Sequence, residues 1–400
     1  MAPRTTDHSV AERIHLRRQA RGWSMRYAAD RAGLAPSTWS RIERGLRTAD
    51  NRFVLADIAR ALECSVAELT GMPLRTADRD AEAAQAGMHA VRRALLEAEL
   101  AEPAKVAPRS IQELAAEIDL LRALRVRCDY LGVTRLLPRL LAELHIVAQG
   151  PARRSALELL VQATYTASSV AKYLGYPAES WIGAQQCREL AETVEDPVLI
   201  GFAAFATTHA AMASNSFNRA RLLVRRAVDE LLPHAGVDGG LETLGMLQLT
   251  AGYAARATRR PDESDTWMAE ARAIAERIGE TNTLDMAFGP TNVGLWQIAV
   301  EVDGGDPGRA VRIASRINLA LVPSTNRQAA YYADTARALA RLRRDRNAVR
   351  MLLAAERLAP QQIHSSPVMQ ESARSLLERA RHEAGSSELR GLCERMGLPV

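Results

Sequence analysis

Apolar positions in this chain recur at the three-and-four spacing of amphipathic helices, and no stretch alternates as a convincing strand would. Near the N-terminus the helices are short and closely punctuated. Residues 10–20 read as a first helix, with Ile14 and Ala20 available to a core and Arg13, Arg17, Arg18 and Arg21 outside. Gly22 ends it, and Ser24 stands where an N-cap belongs, its hydroxyl able to accept from free backbone donors of the next helix. Ala28, Ala29 and Ala32 are small enough for another helix to cross closely, and Gly33 supplies the permissive backbone of a tight turn. Pro36 suits the first position of a helix that runs through Glu43 to a Gly45 stop. Trp39 and Ile42, three apart, face inward on it, which leaves Pro36, Ser37, Thr38, Ser40 and Arg41 outside. Such a pattern predicts a helix-turn-helix.

Further on, the pattern changes. Residues 78–102 make a polar, alanine-rich helical stretch, either a connecting helix or the first layer of the next domain; prolines at 103 and 108 then break it, because proline disfavours helix in the residue before it. From Ser110 the helices are long, rich in Ala and Leu, and paired: 110–127 with 131–148, 152–173 with 178–194, 198–214 with 217–233, 241–258 with 262–278, 290–303 with 307–320, 327–342 with 346–358, and 367–383 with 387–396. Taking Pro177, Phe217, Pro261 and Pro307 as equivalent openings of second helices gives steps of 40, 44 and 46 residues. Steps of that size mean stacked helical hairpins, each unable to bury its apolar stripe alone. The expected fold is all-α: a five-helix domain over 8–72, a linker with a connecting helix over 73–108, and a TPR-like solenoid over 109–400 whose first helices line a concave wall.

Composition adds an asymmetry. Residues 1–75 hold thirteen arginines and eight acidic residues, a balance of +5 that equals the whole chain's net charge, so the remainder is neutral. A basic module joined to a neutral domain is the footprint expected of phosphate binding at one end only. Lys105 and Lys172 are the only lysines in an Arg-rich, Ala-rich chain, so an individual Arg says little by itself. Cys64, Cys128, Cys187 and Cys393 lie far apart without C-x-x-C spacing, which suggests free thiols and neither a metal site nor a disulfide framework. The start MAPRTTDHSV has no apolar signal core, and no later stretch approaches the ~20 apolar residues of a membrane span, so a cytoplasmic protein is expected.

On the outer face of the helix from Pro36, Ser37, Thr38 and Ser40 can bond base edges or phosphate, and Arg41 can fork onto guanine in a major groove. Arg44, Arg47 and Thr48 follow it where a loop would lie against the DNA backbone. Ser24, Met25 and Arg26 stand at a helix N-terminus, whose free amides attract phosphate. The segments Gly22-Trp23-Ser24, Ala32-Gly33-Leu34, Ser40-Arg41-Ile42-Glu43 and Arg44-Gly45 resemble the XRE/Cro/phage-repressor class of DNA-binding domain. Phe53-Val54-Leu55 with Ile58 and Leu62 resembles its fourth helix, and residues 65–69 its fifth. The resemblance implies a lambda-repressor-like domain that binds a double-stranded operator as a twofold homodimer. Ala35 departs from the class, which usually has a Ser or Thr cap there.

A second resemblance covers more of the chain. Ala287-Phe288-Gly289-Pro290-Thr291-Asn292-Val293, the segment 354–360 and the segment 389–397 are similar to actinobacterial regulators that couple an XRE-type domain to a TPR-like half, architecturally similar to peptide receptors of the Rap/Rgg/PlcR kind. That implies a transcription regulator whose solenoid dimerises and binds a small-molecule or peptide effector. On the expected concave wall, His209, Asn215, Tyr253, Trp296, Gln328 and Tyr331 can bond or pack on a ligand. Thr291 and Asn292 stand at a helix start after Gly289-Pro290, where free amides can hold a carboxylate. No phosphate loop, nucleophile elbow, H-E-x-x-H or dinucleotide fingerprint occurs, and His145, His209, His234 and His364 lack partners at ligand spacing, so no enzyme, cofactor or metal is expected. The alternative is a protein-interaction adaptor whose solenoid binds another regulatory protein.

Overall fold

A computed structural model describes residues 9–74, 76–97, 108–380 and 387–400, and among them there are helices and no strands. The N-terminal head comprises α1 (Val10–Ala20), α2 (Met25–Ala32), α3 (Pro36–Glu43), α4 (Arg52–Ala61) and α5 (Val66–Thr70). After α6 (Arg79–Glu97) come the hairpins α7 (Ile111–Val126) with α8 (Tyr130–Val147), α9 (Arg153–Leu174) with α10 (Pro177–Val194), and α11 (Pro197–Ala213) with α12 (Phe217–Leu231). They continue with α13 (Gly240–Ala257) and α14 (Pro261–Ile278), α15 (Pro290–Gly304) and α16 (Pro307–Ala314), and α17 (Thr325–Arg341) and α18 (Asp345–Leu358). The chain closes with α19 (Pro360–His364), α20 (Pro367–Ala380) and α21 (Ser387–Arg395).

Local chemistry sets many of these boundaries. Ser9 with Glu12, Ser65 with Glu68 and Ser110 with Glu113 form reciprocal capping boxes that open α1, α5 and α7. Proline occupies the first turn of α10, α11, α14, α15 and α16, where a missing N–H costs nothing. The helix predicted over 307–320 stops at Ala314 instead. There Asn318 accepts from the backbone of Ala320, a local bond that competes with helix continuation. Most of the predicted break at 102–108, and the predicted end of the 367–383 helix, lie outside the described residues.

Each first helix packs on the next, from α7 through α9, α11, α13 and α15 to α17, while the second helices pack outside their partners. Helix α6 belongs to this packing: Ala84, Met88, Val91 and Leu95 share one core with α7, α8 and α9. The far end of the row returns to its beginning. Gln361 Oε1 accepts the backbone N–H of Tyr130 at 2.8 Å and of Leu131 at 3.0 Å, and α19 lies against α6.

The head sits against the inner wall and shares a hydrophobic core with α17, α18, α20 and α21. Two expectations for α1 are corrected. Ala20 is exposed, and Arg18 turns inward to meet Glu43, because a buried carboxylate there needs a cation more than the core needs another methyl.

Candidate nucleic-acid interface and central cavity

Helix α3 is held by its inner face. Trp39 and Ile42 are buried, and Glu43 beside them accepts from Trp39 Nε1 at 2.6 Å, from Arg18 Nη2 at 2.6 Å and from His15 Nδ1 at 2.7 Å. Burial alone would raise the Glu43 carboxyl; these donors outweigh it and hold it at about 2. Two sequence-distant side chains of α1, with Trp39 one turn back on α3 itself, therefore converge on one charge, which fixes the rotation of α3 about its axis. Its outer face is left to solvent: Pro36, Ser37 and Arg41 are exposed, and Thr38 and Ser40 half-exposed. Ala35 makes no side-chain cap, as its methyl dictates; only its carbonyl serves the first turn of α3, accepting from Thr38 N–H at 2.9 Å and Trp39 N–H at 3.1 Å.

The expected phosphate contacts divide. Arg26, Arg44 and Arg47 are exposed, and Ser24 caps α2 through Tyr27 N–H at 3.2 Å, with Met25 half-exposed beside it. Thr48 is different. Its hydroxyl donates to Ser375 Oγ of α20 at 2.8 Å, so it ties the head to the hairpins and is not free to meet phosphate.

Helix α4 is the docking element. Phe53 meets Phe217 and Tyr253 edge-on, with ring centroids 6.0 and 5.0 Å away. Asn215, held at positive φ, donates Nδ2 to the carbonyl of Ala56 at 2.9 Å, and Arg259 Nη2 reaches Asp57 at 2.8 Å and the carbonyls of Ala32 and Gly33. Between these contacts lies a buried ionic network. Arg337, with no exposed side-chain surface, donates to Asp303, to Asp334 Oδ1 at 2.7 Å and to the carbonyl of Asp50 at 2.5 Å. Arg52 of α4 bridges the same two carboxylates at 3.0 and 3.1 Å, and Tyr253 donates its hydroxyl to Asp303 at 3.1 Å. Burial would raise Asp303, yet Arg337 and Arg52 hold it well below the usual carboxylate range.

Head and hairpins together line a cavity of about 400 Å³ that opens to solvent. The head contributes Arg52, Leu55, Val66 and Met72, and the first helices α9, α11, α13, α15 and α17 contribute most of the rest. Of the residues expected on the inner wall, His209, Asn215, Tyr253, Trp296 and Tyr331 line it. Three do not. Glu280 Oε1 accepts the backbone N–H of Thr291 at 2.8 Å, so the anion position at the start of α15 is filled by the chain's own carboxylate. Asn292 is buried with its Nδ2 turned to the carbonyl of Met286, and Gln328 Nε2 donates to the carbonyl of Val322 at 2.8 Å, pinning the turn before α17.

Reasoning from the sequence also passed over Lys172 and Arg327, both on the cavity wall. Lys172 Nζ donates to His209 Nδ1 at 3.4 Å, which leaves the imidazole proton on Nε2; burial, then Lys172 and Arg327, keep that ring far below its ordinary value and neutral. Lys172 being one of two lysines among so many arginines was the signal available.

All four cysteines are free thiols, and three are buried. No helix among the described residues is long and apolar enough to cross a membrane. Residues 9–70 match the family described as a helix-turn-helix domain. No curated protein is significantly similar to the chain. The chain thus carries a helix-turn-helix DNA-binding module followed by a region of helical hairpins.

Proposed function

We propose that this chain is a sequence-specific transcription regulator, a homodimer in the cytoplasm, whose TPR-like hairpin domain holds a small-molecule or peptide effector that modulates operator binding. The match over residues 9–70 supports the DNA-binding part of this reading. The observation that carries the rest is the seam: an exposed α3 stands on a head whose α4 is clamped to the wall of a cavity that head and hairpins build together. A ligand filling that cavity finds its complete site only with the head docked, so it favours the docked arrangement over any other by mass action. Two heads in a twofold dimer would read two half-sites, with α3 of each in a major groove. Ser37, Ser40 and Arg41 are the base-reading candidates, and Arg26, Arg44 and Arg47 the phosphate contacts, alongside the amides at Met25.

Selection from a pool of random duplexes by the full-length protein tests this reading, with light scattering of the complex to count chains. The expected product is an inverted repeat with half-site centres about 10 bp apart, or a multiple of that, bound by two chains. Recovery of an unenriched pool, bound only through a steep salt dependence, would leave a phosphate-binding head without sequence reading and overturn the proposal.

A further inference from the structure

The cavity is not evenly charged. At one end Arg52 and Arg337 together balance Asp303 and Asp334. At the other, Lys172, His209 and Arg327 share the wall between the main cavity and a small adjoining one, and neither Lys172 nor Arg327 makes an ion pair among the described residues. The nearest acid in the adjoining space, Asp285, is already held by Arg122 at 2.7 Å and approached by Arg125 at 3.5 Å. What the two cations do have is aromatic support: Lys172 Nζ lies 4.4 Å from the centroid of Tyr173, and the Arg327 guanidinium 5.8 Å from that of Trp296. Charges taken out of water are costly unless paired, and among the described residues no carboxylate pairs with either of these partly buried cations. Apolar walls complete the space, from Met212 and Phe217 through Leu295 and Ala299 to Val368 and Met369.

We infer that this cavity binds a small organic anion, with a carboxylate, sulfonate or phosphate head group between Lys172 and Arg327 and an apolar body against α15 and the segment before α20. The inference rests on the proposal that the cavity is an effector site, and names the chemistry of the effector. A volume of about 400 Å³ falls in the range of small-molecule sites. Charge-assisted hydrogen bonds from Lys172 and Arg327 supply the specificity, since a neutral body of the same shape leaves both cations unpaired.

The probe is 8-anilinonaphthalene-1-sulfonate on the full-length protein, against N-phenyl-1-naphthylamine, which has the same body and no charge. One sulfonate per chain should bind, and Lys172→Met or Arg327→Met should weaken it at least about tenfold, the weight of one charge-assisted hydrogen bond, while the neutral probe binds all three proteins alike. Ala299→Trp, which fills the cavity, should remove both. In wild-type protein, where no folding question arises, decanoate should displace the sulfonate at least about tenfold better than decanol. Equal displacement by the two, or a sulfonate affinity indifferent to both Met variants, would overturn the anion site. Anisotropy of a selected duplex, with decanoate and with decanol, separates this from the broader proposal. Displacement selective for decanoate without any change in duplex affinity upholds the anion site and sinks the effector role. A change produced equally by both compounds does the reverse.

Discussion

Replacing Arg337 with Met should release the head from the hairpins before it unfolds either. The guanidinium is wholly buried and makes three contacts that Met cannot: to Asp303, to Asp334 at 2.7 Å and to the Asp50 carbonyl at 2.5 Å. Arg52 alone would then face two carboxylates, leaving one buried negative charge uncompensated and one head carbonyl without its donor. Breaking a buried ion pair from one side costs about 3–5 kcal/mol. Because the network lies on the seam, this loss falls on docking, and amides of α4 should exchange hydrogen roughly a hundred-fold or more faster at the lower bound of that range. Hydrogen exchange read by mass spectrometry resolves α4 from the outer helices α10 and α14, whose protection should hardly change. Arg337→Met with Asp303→Asn restores charge balance around Arg52 and should recover a large part of the loss, a coupling well above the roughly 0.5 kcal/mol expected of independent sites. If α4 exchanges as in the wild type, or if all helices lose protection together, the network does not hold the head.

The recognition helix depends on Glu43 in the same way, and Glu43→Gln should cost about 1.5–3 kcal/mol in the thermal unfolding of the head, since one charge-assisted set of bonds becomes neutral. Its carboxyl stands at about 2 in the folded head against 4.5 when unperturbed, so its contribution is complete above pH 4.5 and lost as pH falls toward 2; acid titration of Glu43→Gln should be flatter over that window than the wild type. Lys172 has the same sign of linkage, stability rising with pH, but for the opposite reason: burial disfavours its charged form. Burial, with Arg327, Arg125 and Arg52 adding and Tyr165 opposing, pushes it from 10.5 down to about 8, with Tyr173 and the neutral His209 also facing it. The folded protein bears the cost of the charged form below pH 8, and that cost lifts as pH rises from 8 toward 10.5. Stability measured across this range should climb in the wild type relative to Lys172→Met, and an equal slope in both would exclude the assignment.

Much of this architecture was readable because it is local. Ser24, Gly33 and Pro36 announce the turn of the head through backbone requirements that few other residues meet, and the paired openings at Pro177, Pro261 and Pro307 mark hairpins for the same reason. Five expected cavity residues follow from helical periodicity plus the idea of an inner wall. What escaped is non-local. Asp50, Arg52, Asp303, Asp334 and Arg337 lie as much as 287 positions apart and share no local pattern, yet the fold gathers them into one network. Thr291 failed as an anion site because Glu280, eleven residues earlier, reaches its amide first. Phe53 looks like an ordinary core residue of a small head, and only the assembled structure shows its ring among those of Phe217 and Tyr253.

The most direct measurement is the affinity of full-length protein for its selected duplex and for every single-base variant of it, repeated with Arg41→Ala. Arg41 is exposed on α3 and enters no ion pair among the described residues. Loss of about 1–3 kcal/mol on the selected duplex, with base preference relaxed at one position per half-site and little change on scrambled DNA, is the outcome predicted for a helix reading the major groove. An unchanged affinity and an unchanged preference at every position would mean that α3 does not read the operator.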